Sequence, residues 1–252
     1  MNSFCFILYL TFLSNIFLLS KSTPALGDFV PKLNKQFKEQ EKISTIRINE
    51  DPSNISAYSS RGDARMFLGA FSGARDDYEK MIELDPKLEI SHWRLGIAYF
   101  YLSDFKKAAH QFEIYHQYDN VDRENGIWRF MSQYKTRGLG FARDNLLLYQ
   151  KTDRPPYPWL YEMFAGKCKP EDVFLKIKES GFPQHYETRV LFHAHLYVGI
   201  YLELTNEKSN EALTHLSLAK NNKYGSSTGT YMWQIARLHH DLLQDLLQEQ
   251  TE

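Results

Sequence analysis

A repeat of 34 residues, present in two consecutive copies, constrains this chain more than any other feature of its 252 residues. The first copy runs from Ile55 to the Asp85–Pro86 pair, and the second runs from Glu89 to Asn120. A fixed period of this length is typical of stacked helical hairpins, so the pattern predicts an all-α fold. The residues that recur in register are Gly62 and Gly96, Phe71 and Phe105, Ala74 and Ala108, Tyr78 and Phe112, and the turns Asp51–Pro52 and Asp85–Pro86.

Each repeated residue type has a physical role in such a hairpin. A glycine inside a helix costs about 1 kcal/mol relative to alanine, so Gly62 and Gly96 are expected where a neighbouring helix approaches closely. The alanines are small for the same reason, and the aromatic rings fill the space between helices. The expected packing residues are Gly62, Ala74, Tyr78, Gly96, Ala108 and Phe112. The alternative is an ordinary helical bundle with accidental spacing.

These residues resemble the tetratricopeptide repeat. That family places small residues where Gly62 and Ala74 stand, aromatic rings where Phe71 and Tyr78 stand, and a proline where Pro86 ends the hairpin. This chain departs from the pattern at two positions, since an aromatic residue is expected at Arg65 and a proline at Asn120. The resemblance implies a right-handed α-solenoid of antiparallel hairpins with a concave surface that binds a ligand.

The resemblance also implies which side chains line the concave surface, because the first helix of each hairpin faces it in this family. The side chains at those positions are apolar, hydroxyl-bearing or acidic, so a lysine and asparagine clamp for a peptide carboxylate is absent. We expect an apolar helix or peptide of a partner to bind there, unless the closing helix or the Pro-rich bend folds back and buries the surface. The expected groove residues are Asp63, Met66, Phe67, Trp93, Ile97, Phe100 and Tyr101.

The strict period fades beyond Asn120, although helical patterns continue to the end of the chain. The patterns predict a divergent hairpin, an extended connector from Arg154 to Pro158, a short helical pair, a further repeat-like hairpin and a closing helix over 231–248. Gly199, Ala212, Leu216 and Ala219 restore the small-and-large pattern, and residues 225–229 read as a polar loop. This order loosely resembles bacterial envelope tetratricopeptide lipoproteins that act as adaptors, but no lipid-bearing cysteine follows the apolar N-terminal segment.

The N-terminal segment reads as a secretory signal. An uncharged apolar stretch from Phe4 to Leu19 is followed by small residues that end at Gly27, as in a cleaved signal peptide. We therefore predict a signal peptide over residues 1–27 and a helical domain over 28–252, located in the periplasm, the ER lumen or outside the cell. An uncleaved membrane anchor is the alternative. Asn54 begins a glycosylation sequon, but a helix-capping role explains this residue equally well.

Composition and motifs argue against several other functions. A net charge of −1 offers no broad basic surface for nucleic acid, and no segment after the signal is apolar for long enough to cross a bilayer. The sequence contains no phosphate-binding loop, nucleophile elbow or zinc spacing. We therefore expect no catalysis, no cofactor and no metal.

The sequence thus predicts a non-enzymatic scaffold that binds a protein or peptide, and two alternatives stay open. In the first, two glutamate-x-x-histidine pairs meet and hold a metal ion in an enzyme subunit. In the second, the apolar surface and the closing helix form a homo-oligomer. The residues of the metal alternative are Glu89, His92, Glu113 and His116.

Overall fold

The computed structural model describes residues 26–205 and 209–249, and within these ranges the chain is helical with no strand. The predicted all-α class is therefore confirmed for this part of the chain. None of the helices described there is long and apolar enough to span a bilayer. The thirteen helices of these ranges are α1 (Leu26–Glu50), α2 (Ile55–Phe67), α3 (Phe71–Leu84), a 3₁₀ helix (Pro86–Ser91), α4 (Trp93–Tyr101), α5 (Phe105–Tyr118), α6 (Arg123–Asp144), α7 (Tyr157–Phe164), α8 (Pro170–Glu179), α9 (Gln184–Thr205), α10 (Ser209–Lys220), α11 (Lys223–Thr228) and α12 (Tyr231–Glu249).

The described residues include only the last two residues of the predicted signal segment, 26 and 27. The apolar stretch from Phe4 to Leu19 lies outside the described residues. Helix α1 begins at Leu26, two residues before the predicted first residue of the mature chain, Asp28. It packs on α2, and it buries the apolar side chains of Phe37 and Ile48.

Helices that follow each other in the chain pack as pairs. In three of these pairs, a glycine of the first helix lies against a large side chain of the second. A Cβ atom on Gly62 of α2 would lie 2.6 Å from the ring of Tyr78 in α3. On Gly96 of α4 it would lie 2.7 Å from the ring of Phe112 in α5. On Gly199 of α9 it would lie 2.8 Å from the side chain of Leu216 in α10, where Ala212 and Ala219 are also fully buried. A missing side chain on the first helix therefore admits a large side chain from the second.

Polar side chains define where several helices begin. The Asn54 Oδ1 atom accepts a hydrogen bond from the backbone N–H of Ala57 at 3.0 Å and caps α2. Asp104 caps α5 in the same way, and Asp122 caps α6 through the backbone N–H of Glu124 at 3.0 Å. Such caps satisfy backbone N–H groups that the first turn of a helix leaves without partners.

Three local predictions were wrong. Helix α4 begins at Trp93 instead of Glu89, because Pro86 starts a separate 3₁₀ helix. The sequence pattern predicts the second helix of the divergent hairpin over 141–149, but α6 runs through a kink at Gly138 (φ 81°) and ends at Asp144. Residues 223–228 form helix α11, which Gly229 ends in the left-handed region at φ 60°. The sequence did not predict this short helix, because its serine and glycine residues favour turns.

The closing helix α12 returns to the first hairpin. It packs mainly on α10 and also reaches α2. The Arg237 Nη2 atom donates a hydrogen bond of 2.7 Å to the carbonyl oxygen of Phe67, 170 residues earlier. The Tyr231 ring meets Phe67 and Trp93 edge-on, at centroid distances of 4.9 and 4.8 Å. The start of α12 therefore lies against the surface on which a ligand groove was expected.

Candidate functional site

The seven expected groove residues fall into three groups. Asp63, Met66 and Phe67 form the first group, which the protein itself covers. Met66 is fully buried, and Phe67 is 9% exposed under Tyr231. The Asp63 carboxylate accepts hydrogen bonds from Arg94 at 2.8 Å and from the Tyr78 hydroxyl at 2.7 Å. In this part of the surface, the closing helix α12 folds back and covers the expected groove, which is the alternative that the sequence left open.

The second group, Trp93 and Ile97, lines a cavity of about 320 Å³ between α4, α6, α9 and the start of α12. We call it the inner cavity. Four aromatic rings contribute to its walls, and so do five titratable or charged side chains. The rings are those of Trp93, Trp128, Tyr224 and Tyr231, and the other five side chains are Asp122, Glu124, Arg154, Arg189 and His193.

Acidic groups collect around one arginine at the α6 side of the inner cavity. Arg154 lies 3.1 Å from the carboxylate of Asp153, 3.4 Å from that of Glu124 and 3.8 Å from that of Asp122. Asp153 also accepts a hydrogen bond of 2.9 Å from the backbone N–H of Arg123, so it ties the connector between α6 and α7 to the first turn of α6. This connector ends earlier than predicted, because α7 begins at Tyr157 and includes Pro158. The prolines that follow Arg154 keep this connector out of a helix, which lets its side chains reach α6.

Burial shifts the ionisation of this acidic group. Burial, together with the nearby carboxylate of Asp122, raises the pKa of Glu124 to about 7. The hydroxyl of Tyr197 donates a hydrogen bond to the same carboxylate. Burial also raises the pKa of Asp122. A carboxylate with a raised pKa inside a cavity marks a candidate binding site.

The α9 side of the inner cavity carries Arg189 and His193, which are one helical turn apart. Burial, with a further contribution from Arg154 and Arg189, lowers the pKa of His193 to about 3, so this ring is neutral. Its Nδ1 atom lies 2.9 Å from the Tyr157 hydroxyl. The guanidinium of Arg189 lies 5.9 Å from the centre of the Tyr224 ring. It has no hydrogen bond or ion pair within the described ranges.

The third group, Phe100 and Tyr101, borders an opening of about 190 Å³ between the α4–α5 turn, the end of α9 and α12. We call it the apolar groove. Leu242 and Leu246 form its outer edge and are 46% and 47% exposed. Further apolar side chains line it, and so do the charged side chains of Lys135 and Glu203. The further apolar residues are Phe105, Ile200, Leu204 and Leu243.

The two glutamate-x-x-histidine pairs do not form a metal-binding group. His92 is buried against the Tyr78 ring, and burial followed by the charge of Arg94 lowers its pKa to about 4. His116 packs edge-on against Tyr149. Across residues 26–205 and 209–249, no set of three or more histidine, cysteine, aspartate or glutamate side chains is placed to hold a metal ion.

Sequence reasoning missed the charged lining of the inner cavity. The signal that could have found part of it is local, because Asp122 and Glu124 begin α6 while the Asp153–Arg154 pair precedes two prolines. Neither feature indicates that the two segments meet. No protein-family model matches the chain.

Proposed function

We propose that this protein is a non-enzymatic, extracytoplasmic interaction scaffold, built as a right-handed α-solenoid of tetratricopeptide-like hairpins, that binds an apolar helix or peptide of a partner protein. The apolar groove is where the partner docks. In this proposal the partner binds at one end of the expected concave groove, because the chain itself covers the other end.

The observation that carries the proposal is the exposure of two leucines beside the apolar groove. Leu242 and Leu246 are four residues apart on α12, so they share one face of the helix. Each keeps nearly half of its surface in water. Complete burial of a leucine contributes about 1.5–3 kcal/mol, so covering both exposed portions would favour binding.

The surroundings of the groove specify the kind of partner. Phe100 and Leu204 form a buried floor, and Tyr101 and Phe105 are only partly covered. Lys135 and Glu203 add one charge of each sign to this otherwise mainly apolar lining. An amphipathic partner helix with apolar residues three or four positions apart fits such a surface.

The test is affinity capture by the purified protein from its own extracytoplasmic fraction. The informative variant is Leu242→Glu/Leu246→Glu, which places two charges at the edge of the groove. The matched control is Leu218→Glu on α10, because Leu218 is 49% exposed and does not line the groove. We expect the double variant to lose specific partners that the control retains. An unchanged set of captured proteins would refute the proposal.

Self-association is the second candidate, because the same exposed leucines could pack against those of another copy. Light scattering over a range of protein concentrations separates the two functions. A wild-type dimer that the Leu242→Glu/Leu246→Glu variant converts to a monomer would assign the groove to self-association. A wild-type monomer would leave the groove to a different protein.

A further inference from the structure

The inner cavity has a chemistry that the apolar groove lacks, since it combines an acidic side with a basic side. On the acidic side, the carboxylates of Asp122, Glu124 and Asp153 share a single guanidinium, that of Arg154. Three acidic groups against one basic group leave an excess of negative charge. Burial is the main cause of the raised pKa of Asp122 and of Glu124, and the charge of Asp122 adds to the shift at Glu124. A cation entering the cavity would stabilise the charged form of both carboxylates.

The basic side consists of Arg189 alone. His193, one turn further along α9, is neutral and bonded to the Tyr157 hydroxyl. The guanidinium of Arg189 lies near the Tyr224 ring without an acceptor among the described residues. Arginine presents a fixed set of donors that matches a carboxylate in two parallel hydrogen bonds. Arg189 is therefore available for a ligand anion.

The dimensions and walls limit the ligand to a small molecule with an apolar part. A volume of about 320 Å³ lies at the lower end of the range of about 300–1,000 Å³ that is usual for ligand pockets. The rings of Trp93, Trp128 and Tyr231 supply apolar surface to the walls of the same cavity.

We propose that the inner cavity binds a small zwitterion of the amino-acid class, with its ammonium group at the carboxylates of Asp122 and Glu124 and its carboxylate at Arg189. The aromatic walls hold the side chain, which favours apolar or aromatic amino acids. This site is separate from the apolar groove and does not depend on a protein partner.

The test compares four probes that share one phenyl ring, measured by titration calorimetry with the purified protein. L-Phenylalanine carries both charges, 2-phenylethylamine carries only the ammonium group, 3-phenylpropionate carries only the carboxylate, and N-acetyl-L-phenylalanine amide carries neither. Loss of one charge-assisted contact weakens binding about ten- to hundredfold. We expect phenylalanine to bind most tightly, by at least about tenfold over either singly charged probe.

Two variants assign the charged contacts. Arg189→Gln should bind phenylalanine no more tightly than 2-phenylethylamine, because the carboxylate loses its partner. Asp122→Asn keeps the helix cap, since asparagine caps as well as aspartate. It should reduce the difference in affinity between phenylalanine and 3-phenylpropionate, because the ammonium group loses a charged partner. Arg137→Gln is the matched control, because Arg137 also lies over an aromatic ring, that of Phe141 at 4.1 Å, but does not line the cavity.

Three results would overturn the proposal. They are the absence of saturable phenylalanine binding, equal affinity for phenylalanine and a singly charged probe, and an Arg189→Gln variant that behaves like Arg137→Gln. Each of these outcomes leaves the apolar groove and its protein partner unaffected, so the two proposals fail separately.

Discussion

Replacing Gly96 with alanine tests the contact on which the hairpin packing depends. The new Cβ atom would lie 2.7, 2.9 and 3.0 Å from three atoms of the Phe112 ring. That ring is fully buried and stacks on Trp128 at a centroid distance of 6.1 Å, so it has little room to move. Overpacking of this kind costs about 1–3 kcal/mol, while the helix propensity of alanine returns about 1 kcal/mol. We expect a net loss of about 1 kcal/mol in the free energy of unfolding.

Gly140 provides the control, because the same chemical change there meets no neighbour. Gly140 lies in α6, and a Cβ atom on it would have nothing within 4 Å. Gly140→Ala should therefore raise the free energy of unfolding by about 0.5–1 kcal/mol. Since the gain in propensity is common to both variants, their difference isolates the steric cost of the Gly96 contact.

Urea denaturation followed by far-UV circular dichroism measures both variants. A second substitution, Phe112→Leu, should relieve the clash, so Gly96→Ala should cost less in that background than in the wild type. The reasoning is refuted if Gly96→Ala stabilises the protein as much as Gly140→Ala does. Strict additivity of Gly96→Ala and Phe112→Leu would refute it as well.

Three further predictions concern other parts of the structure and use the same denaturation assay. Asn54→Ala should cost about 1 kcal/mol by removing the α2 cap, whereas Asn54→Asp should be neutral, and equal effects would contradict the capping role. Asp77→Ala should cost about 3 kcal/mol, because Arg61 and Arg65 lose the buried carboxylate that lies 2.7 and 3.0 Å from them; a loss below about 1 kcal/mol would contradict this. Folding raises the pKa of Glu124 from 4.5 to about 7, so its protonated form stabilises the fold at low pH and this contribution is lost as pH rises between those values. The free energy of unfolding should therefore fall less between pH 4.5 and about 7 in Glu124→Gln than in the wild type. If it falls equally in both proteins, Glu124 does not cause the decline.

Sequence periodicity was most informative where one helix pairs with the next. Gly62 and Gly96 recur every 34 residues, and the close contact they make is between neighbours in the chain. Asn54 likewise acts within one turn of its own position. Patterns of this kind are visible because the interacting residues keep a fixed separation.

The inner cavity and the position of α12 depend on contacts that carry no such pattern. The apolar residues of α12 predict a helix with a buried face, but not that Arg237 reaches Phe67. Asp122 resembles any acidic cap, and Arg189 resembles any solvated arginine on a helix. Only tertiary structure brings α6, the connector, α9 and α12 around one space.

The contact between α12 and α2 bears on how many hairpins can lie between these two helices. In an open array each unit touches only its neighbours, so units can be gained or lost at low cost. Here α12 contacts α2 through the hydrogen bond from Arg237 to the carbonyl oxygen of Phe67. A 34-residue unit inserted between α2 and α12 would break this contact, so the contact limits how many hairpins can lie between the two helices.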